Sequence, residues 1–173
     1  MQELTFWKVI VMDKANQIEA LLALLAENQI QFCVIGGQGV NAYVDPLVSL
    51  DLDLAVASEQ SDQIEALLSS HYKVSRFPHS LNIELPESAL RVQIQTDARY
   101  GAFAGRAKMM SVLGLSLPVA PLEDILRGKI WAAQDPDRRG SKRQKDLADI
   151  ARIIEAYPAL RAQVPQDVLA RLL

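Results

Sequence analysis

Two carboxylates stand two residues apart in the stretch FCVIGGQGVNAYVDPLVSLDLDLAV, residues 32–56. In an extended strand the side chains at i and i+2 share a face, so Asp51 and Asp53 project together. Like charges held that close repel, and a cation between them relieves the repulsion. Just upstream, Gly36-Gly37 breaks the apolar run Phe32-Cys33-Val34-Ile35. A twin-glycine turn beside a two-carboxylate strand is a place that could take a nucleotide phosphate and its magnesium.

The surrounding pattern predicts the elements that must hold these groups. Phe32 to Ile35 reads as a buried strand, Gln38 to Tyr43 as a short helix, and Leu50 to Ala57 as a second strand with Leu50, Leu52 and Leu54 on its apolar face. Ahead of them, Ile18, Leu21, Leu22 and Leu25 recur at helical spacing and predict a helix over about Ala15 to Asn28, capped by Asp13. Trp7 to Met12 could be a short helix or a strand. Ser58 or Ser61 can cap a helix to about Ser70, with Ile64, Leu67 and Leu68 inward. Tyr72 to Phe77, Leu81 to Leu85 and Leu90 to Thr96 read as further strands, and the last carries Arg91, Gln93 and Gln95 on one polar face. Residues 98–120 are broken by Gly101, Gly105 and Gly114, with Leu115 to Ala120 a short edge strand.

The C-terminal third reads as helical. A helix opens at Pro121-Leu122-Glu123-Asp124, with proline in its first turn, and runs to about Gln134. After Asp135-Pro136-Asp137, Gly140-Ser141 can cap a helix from Lys142 to about Ala156 with Leu147, Ile150, Ile153 and Ile154 buried. A last short helix follows over Gln166 to Leu172. The expected fold is α/β: a small mixed sheet of four to six strands flanked by helices, with residues 1–120 as the core and 121–173 as a helical part of the same domain. The cleft should lie between the Asp-x-Asp strand and the Lys142 helix.

Composition narrows the classes. The chain has 173 residues, half of them hydrophobic, enough for one ordinary core. A net charge of −3 argues against a globally basic nucleic-acid surface, though not against a local patch. One cysteine allows no internal disulfide, which fits a reducing cytoplasm. Lys8, Asp13 and Lys14 interrupt any signal-peptide pattern, and no apolar run approaches the ~18–20 residues that span a bilayer. His71 and His79 lack metal-ligand spacing.

Gly36, Gly37, Ser49, Asp51 and Asp53 resemble the first motif of the nucleotidyltransferase superfamily: a Gly-Gly turn, a short helix, then Asp-x-Asp. The pattern Gly-Gly, helix, Ser-x-Asp-x-Asp is most similar to the nucleotidyltransferase toxins of abortive-infection and type IV toxin–antitoxin systems, the AbiE type. Those proteins also have a helix with a lysine, a charged loop and a Lys-Asp pair opening the next helix. Here Lys129 matches the lysine, Arg138, Arg139, Lys142 and Arg143 the loop, and Lys145-Asp146 the pair.

The resemblance implies transfer of a nucleoside monophosphate from an NTP to a hydroxyl of RNA, protein or a small molecule, aided by Mg2+ or Mn2+. It implies Asp51, Asp53, Lys129 and Asp146 as catalytic residues, with Lys129 on the triphosphate and Asp146 as orienter or base. Gly36, Gly37, Ser49, Lys129, Lys142 and Lys145 would bind the nucleotide. Possible partners are a tRNA or protein acceptor and an antitoxin, with no membrane association.

Two departures bear on these expectations. Gln93 and Gln95 stand where many relatives have a third carboxylate, and Asp97 is the nearest acid that could join Asp51 and Asp53 as a metal ligand; Glu84 is another. Leu47 stands where toxin relatives often carry arginine. The rival reading is therefore a nucleotide-binding or protein-interaction module that keeps the fold without turnover.

Overall fold

The computed structural model describes residues 16–172. Helix α1 (residues 16–27) turns Ile18, Leu21, Leu22 and Leu25 into the core, as its spacing predicts. The readings of Trp7–Met12 and of the Asp13 cap lie outside the described residues. Strands β1 (Phe32–Ile35), β2 (Asp51–Val56), β3 (Lys73–Phe77), β4 (Ser80–Glu84), β5 (Arg91–Gln95), β6 (Lys108–Val112) and β7 (Leu115–Val119) form one mixed sheet, in the order β3-β4-β5-β2-β1-β7-β6. The sheet thus has seven strands rather than four to six.

The additional strand comes from the stretch that the glycines obscured. β6 and β7 are joined through Leu113 and Gly114, both at positive φ (54° and 78°), the pattern of a two-residue hairpin turn that follows strand twist. β6 buries only Val112, so its sequence carries no alternating apolar face to reveal it. It takes the edge, and β7 lies inside, parallel to β1, instead of forming the edge itself.

β1 and β2 run antiparallel, and β2 and β5 run parallel with Asp51 opposite Arg91 and Asp53 opposite Gln93. Leu52 and Leu54 are fully buried on the face away from the two acids. Leu50 is not with them: it precedes β2 and is 43% exposed, although its carbonyl accepts from the Arg91 N–H.

Helices α2 (Gly36–Asn41), α3 (Ser61–Ser69), α4 (Leu122–Gln134), α5 (Gly140–Ala156) and α6 (Gln166–Leu169) flank the sheet. Ser58–Gln60 forms a 3-10 turn ahead of α3, whose Ile64 and Leu68 are buried, and Leu67 is only partly so. Pro121 is the residue before α4 rather than within its first turn, and Gly140 already belongs to α5. The chain end differs from its reading: Pro158–Gln163 is a 3-10 segment, and α6 stops at Leu169. α4 and α5 bury Ile125, Leu126, Ile130, Leu147, Ile150 and Ile153 in the same apolar cluster as Val34 and Leu54. No described helix is long and apolar enough to cross a membrane.

Candidate active site

The β1–β2 register places Ile35 opposite Asp53, so the turn that follows β1 lands on the second carboxylate. Gly36 has φ +65°, and a Cβ there would lie 2.9 Å from both Cβ and Cγ of Asp53. Left-handed backbone and side-chain contact both demand glycine. Gly37 has no such demand: a Cβ would come no nearer than 3.9 Å to Ser49 Oγ and 4.0 Å to Asp149 Oδ2. Ser49 is held from two sides. The buried Gln38 donates to its carbonyl (3.1 Å), and its Oγ accepts from the Asp51 N–H (3.2 Å).

The two carboxylates of β2 differ sharply. Asp51 is half-exposed and accepts from Arg91 Nε at 2.7 Å. Asp53 is deeper, beside Gln93, and has no hydrogen-bond or ion-pair partner among the described residues. Burial pushes its carboxyl above the ordinary aspartate range; Lys129 opposes the rise, Asp51 adds to it, and Lys142 and Arg138 oppose it further.

A second group of charges comes from α4 and α5. Lys129, 11% exposed, donates to Asp146 Oδ1 at 3.0 Å and lies 2.8 Å from Asp149 Oδ2. Burial alone would pull its ammonium down, but Asp149 and Asp146 outweigh that and hold it above the usual lysine value. Asp146 is almost wholly buried and accepts from Arg138 through both oxygens (2.9 and 3.2 Å). With Lys129 on the same carboxylate, Asp146 is saturated, which suits an orienter better than a base. Asp149 also pairs with Arg152 at 2.8 Å, and Arg152 reaches Asn41 Oδ1 (3.0 Å) and the Asp45 carbonyl (2.6 Å).

Between the two groups lies a cleft of about 90 Å³. Gly36, Asp53, Gln93, Lys129, Arg138 and Asp146 line it, with Gln95, Tyr100 and Phe103 along one side. Typical small-molecule pockets run to roughly 300–1,000 Å³, so this cleft could enclose a phosphate end but not a whole nucleotide.

The remaining expected residues lie farther out. Lys142 is half-buried, and Lys145 is exposed. Arg143 bonds the carbonyls of Asp135 and Arg138 and so braces the α4–α5 loop. Asp97 is turned to its own loop: burial would raise its carboxyl, but hydrogen bonds from Arg99 hold it below the ordinary value. It does not line the cleft, and neither does Glu84, which pairs with Lys73.

Residue types at the cleft fit a hard divalent cation. Mg2+ takes oxygen ligands, commonly one or two carboxylates with substrate phosphates and water completing the shell. Asp53 and the Gln93 amide line the cleft and offer such oxygens. Asp51 stands beside them, two residues from Asp53 on β2, but outside the lining and paired with Arg91. The unpartnered Asp53 is the acid that would gain most from a cation. No group of three His, Cys, Asp or Glu gathers into a metal-sized cluster among the described residues. Sequence reasoning did not single out Arg152, Asn41 or Gln38; Arg152, three residues after Asp149 on one helix face, carried the only signal.

No protein-family model matches the sequence, and no curated protein matches it. Solved structures do resemble the chain. The solution structure of the antibiotic-resistance factor ANT(2'')-Ia aligns with 88% of this chain and 93% of its own, at TM-score 0.56 and 15% identity. A crystal structure of ANT(2'')-Ia in complex with adenylyl-2''-tobramycin aligns with 87% and 98%, at TM-score 0.54 and 15% identity. The lincomycin-bound lincosamide antibiotic adenylyltransferase LnuA is similar over 80% of this chain and 96% of its own, with TM-score 0.49 and 13% identity. The chain has the nucleotidyltransferase-like α/β fold. At these identities the likeness is one of fold.

Proposed function

We propose that the protein transfers a nucleoside monophosphate from an NTP to a hydroxyl acceptor, with Mg2+ or Mn2+ held by Asp51 and Asp53. The observation that carries this reading is Asp53: a half-buried carboxylate pressed against Gly36, with no ion-pair partner among the described residues, beside a second acid and facing a cationic wall. Left alone, that arrangement is unfavourable, and a cation with an anionic ligand would relieve it. In the reaction the acceptor oxygen forms a bond to the α-phosphorus as the bond to the β-phosphate oxygen breaks. Pyrophosphate leaves, and the hydroxyl proton passes to water. The bound cation would offset phosphate charge and favour in-line attack. The chain itself supplies orientation. Ser49 fixes the start of β2, and Asp146 holds Lys129 and Arg138 in place.

The neighbour bound to adenylyl-2''-tobramycin supports a small-molecule hydroxyl as acceptor. An RNA or protein acceptor and an antitoxin partner remain the proposal drawn from the sequence resemblance. The rival reading, a nucleotide-binding module without turnover, draws on Gln93 and Gln95, which occupy the cleft wall without negative charge.

Calorimetric titration with each NTP, with and without magnesium, tests the proposal against an Asp51→Asn/Asp53→Asn variant. Magnesium-dependent binding lost in the variant is expected, followed by pyrophosphate release once an acceptor screen succeeds. No binding by the intact chain would refute the transferase reading; binding without turnover across the screen would favour the rival.

A further inference from the structure

The helices cover only part of the sheet face that carries the acids. Lys129 and Arg138, the cations that line the cleft, come from α4 and the loop behind it, and no residue of β3 or β4 reaches the lining. Cover ends along β5: Gln93 lines the cleft, whereas Arg91 is exposed. From there the strand register carries the acid-bearing face outward. Asp53 stands opposite Gln93, Gln93 opposite Asn82, and Asn82 opposite Ser75. Residues paired across strands share a face, so the four form one row. Asn82 and Ser75 are exposed, while Leu81 and Ile83, which flank Asn82, are buried on the other face. Three strand spacings make the row about 14 Å long.

The side chains of this open face sort by charge. Lys73 pairs with Glu84 at 3.1 Å and Arg91 with Asp51 at 2.7 Å, so two cations and two anions cancel. Gln93, Asn82 and Ser75 make no side-chain hydrogen bond among the described residues, and each can both donate and accept. A polyanion such as RNA needs unpaired basic residues along its path, and a polyamine needs unpaired acids. The face offers neither. A row of amides and a hydroxyl matches an uncharged molecule rich in hydroxyls.

Reaction geometry points to the same face. In an in-line displacement the entering oxygen and the departing pyrophosphate lie on opposite sides of the α-phosphorus. With the phosphates held toward Lys129 and Arg138, the acceptor enters from the side that the helices leave open, where β5, β4 and β3 lie.

We infer that the acceptor is an uncharged, hydroxyl-rich small molecule of the sugar or polyol class, and that it lies on the open face of β5, β4 and β3 against Gln93, Asn82 and Ser75. Its hydroxyl oxygen bonds the α-phosphorus, the bond to the β-phosphate oxygen breaks, pyrophosphate leaves, and the hydroxyl proton passes to water. This rests on the nucleotide-transfer reading and names the substrate class for that site.

The test supplies the intact chain with magnesium, each NTP in turn and one of three acceptor sets: neutral sugars and polyols (glucose, maltose, sucrose, myo-inositol), tobramycin, or bulk tRNA. Pyrophosphate release and the mass of the nucleotidylated product are read. Release with a neutral acceptor is expected. Asn82→Ala and Ser75→Ala should each raise KM for that acceptor about two- to tenfold, as loss of one neutral hydrogen bond does. Both residues are exposed, so NTP affinity by calorimetry and the melting temperature should stay at the parent values. Release with tobramycin or tRNA alone would overturn the inference and leave the transferase reading standing. Parent KM in both variants would overturn the placement on the open face. NTP binding without release in any set would also overturn the inference, and a parent chain that binds no NTP would overturn both readings together.

Discussion

Asp53 is the residue on which stability and activity pull in opposite directions. Its carboxyl is raised by burial, so the folded state holds that proton more tightly than the unfolded chain does. The group therefore favours folding at low pH, and its contribution is lost as pH rises through the folded-state value. Asp53→Asn removes the penalty, so the variant should melt above the parent near about pH 7, by roughly 2–4 °C for each kcal/mol recovered. The gap should close as pH falls below about 4, where aspartate becomes protonated in the unfolded state as well. Melts across that range check this, and a variant that melts lower at neutral pH would mean that Asp53 is stabilised by a partner. Magnesium-dependent nucleotide binding should fall with pH in the same window, since only the ionised acid holds a cation. The sequence made this acid pair legible, because period-two spacing alone puts Asp51 and Asp53 on one face. It could not separate their environments, since Arg91 reaches Asp51 only through the β2–β5 register. Nor could it tell that Asp97, the nearest acid in sequence, is spent on Arg99.

At the level of elements, the segment between α2 and β2 is pinned by side-chain hydrogen bonds. Tyr157 donates to the Tyr43 carbonyl, Arg152 to that of Asp45 and Gln38 to that of Ser49, and Asn41 holds Leu47. Asn41 accepts from the Leu47 N–H (3.0 Å) and donates to the Leu47 carbonyl (2.7 Å), while also accepting from Arg152. Beyond that clamp Leu47, Val48 and Leu50 are exposed. Asn41→Ala should cost about 1–3 kcal/mol. It should speed amide exchange over residues 44–50 without changing exchange in the centre of β1. Unchanged exchange in the loop would mean that its backbone is fixed by other contacts. The Arg152 arm of this clamp was invisible in the sequence because Arg152 lies 111 residues from Asn41. The long amphipathic helices were legible for the opposite reason: α1, α4 and α5 each repeat a local apolar stripe that needs no knowledge of the rest of the chain. β6 lacked any such stripe, and its hairpin partner was therefore assigned to the wrong place in the sheet.

Across the whole molecule, the C-terminal helices complete the core instead of standing apart from it. Ile125, Leu126 and Ile150 belong to the same buried cluster as Val34, Leu54 and Ile94. Removing residues after 120 would expose that apolar surface, so a single cooperative melting transition is expected, the same by far-ultraviolet circular dichroism and tryptophan fluorescence. Two separated transitions would mean that the α/β core and the helical part unfold independently. One residue turns this unity into a measuring device. Cys33 is the sole cysteine, lies at zero exposure inside β1, and burial pushes its thiol up to about 12. A thiol reagent can reach it only when the sheet opens, so the labelling rate times that opening. A ligand bound three residues further on, at Gly36, must slow the clock in proportion to its occupancy. The protein thus carries a reporter through which nucleotides, metals and small molecules can be ranked as ligands before any acceptor is known.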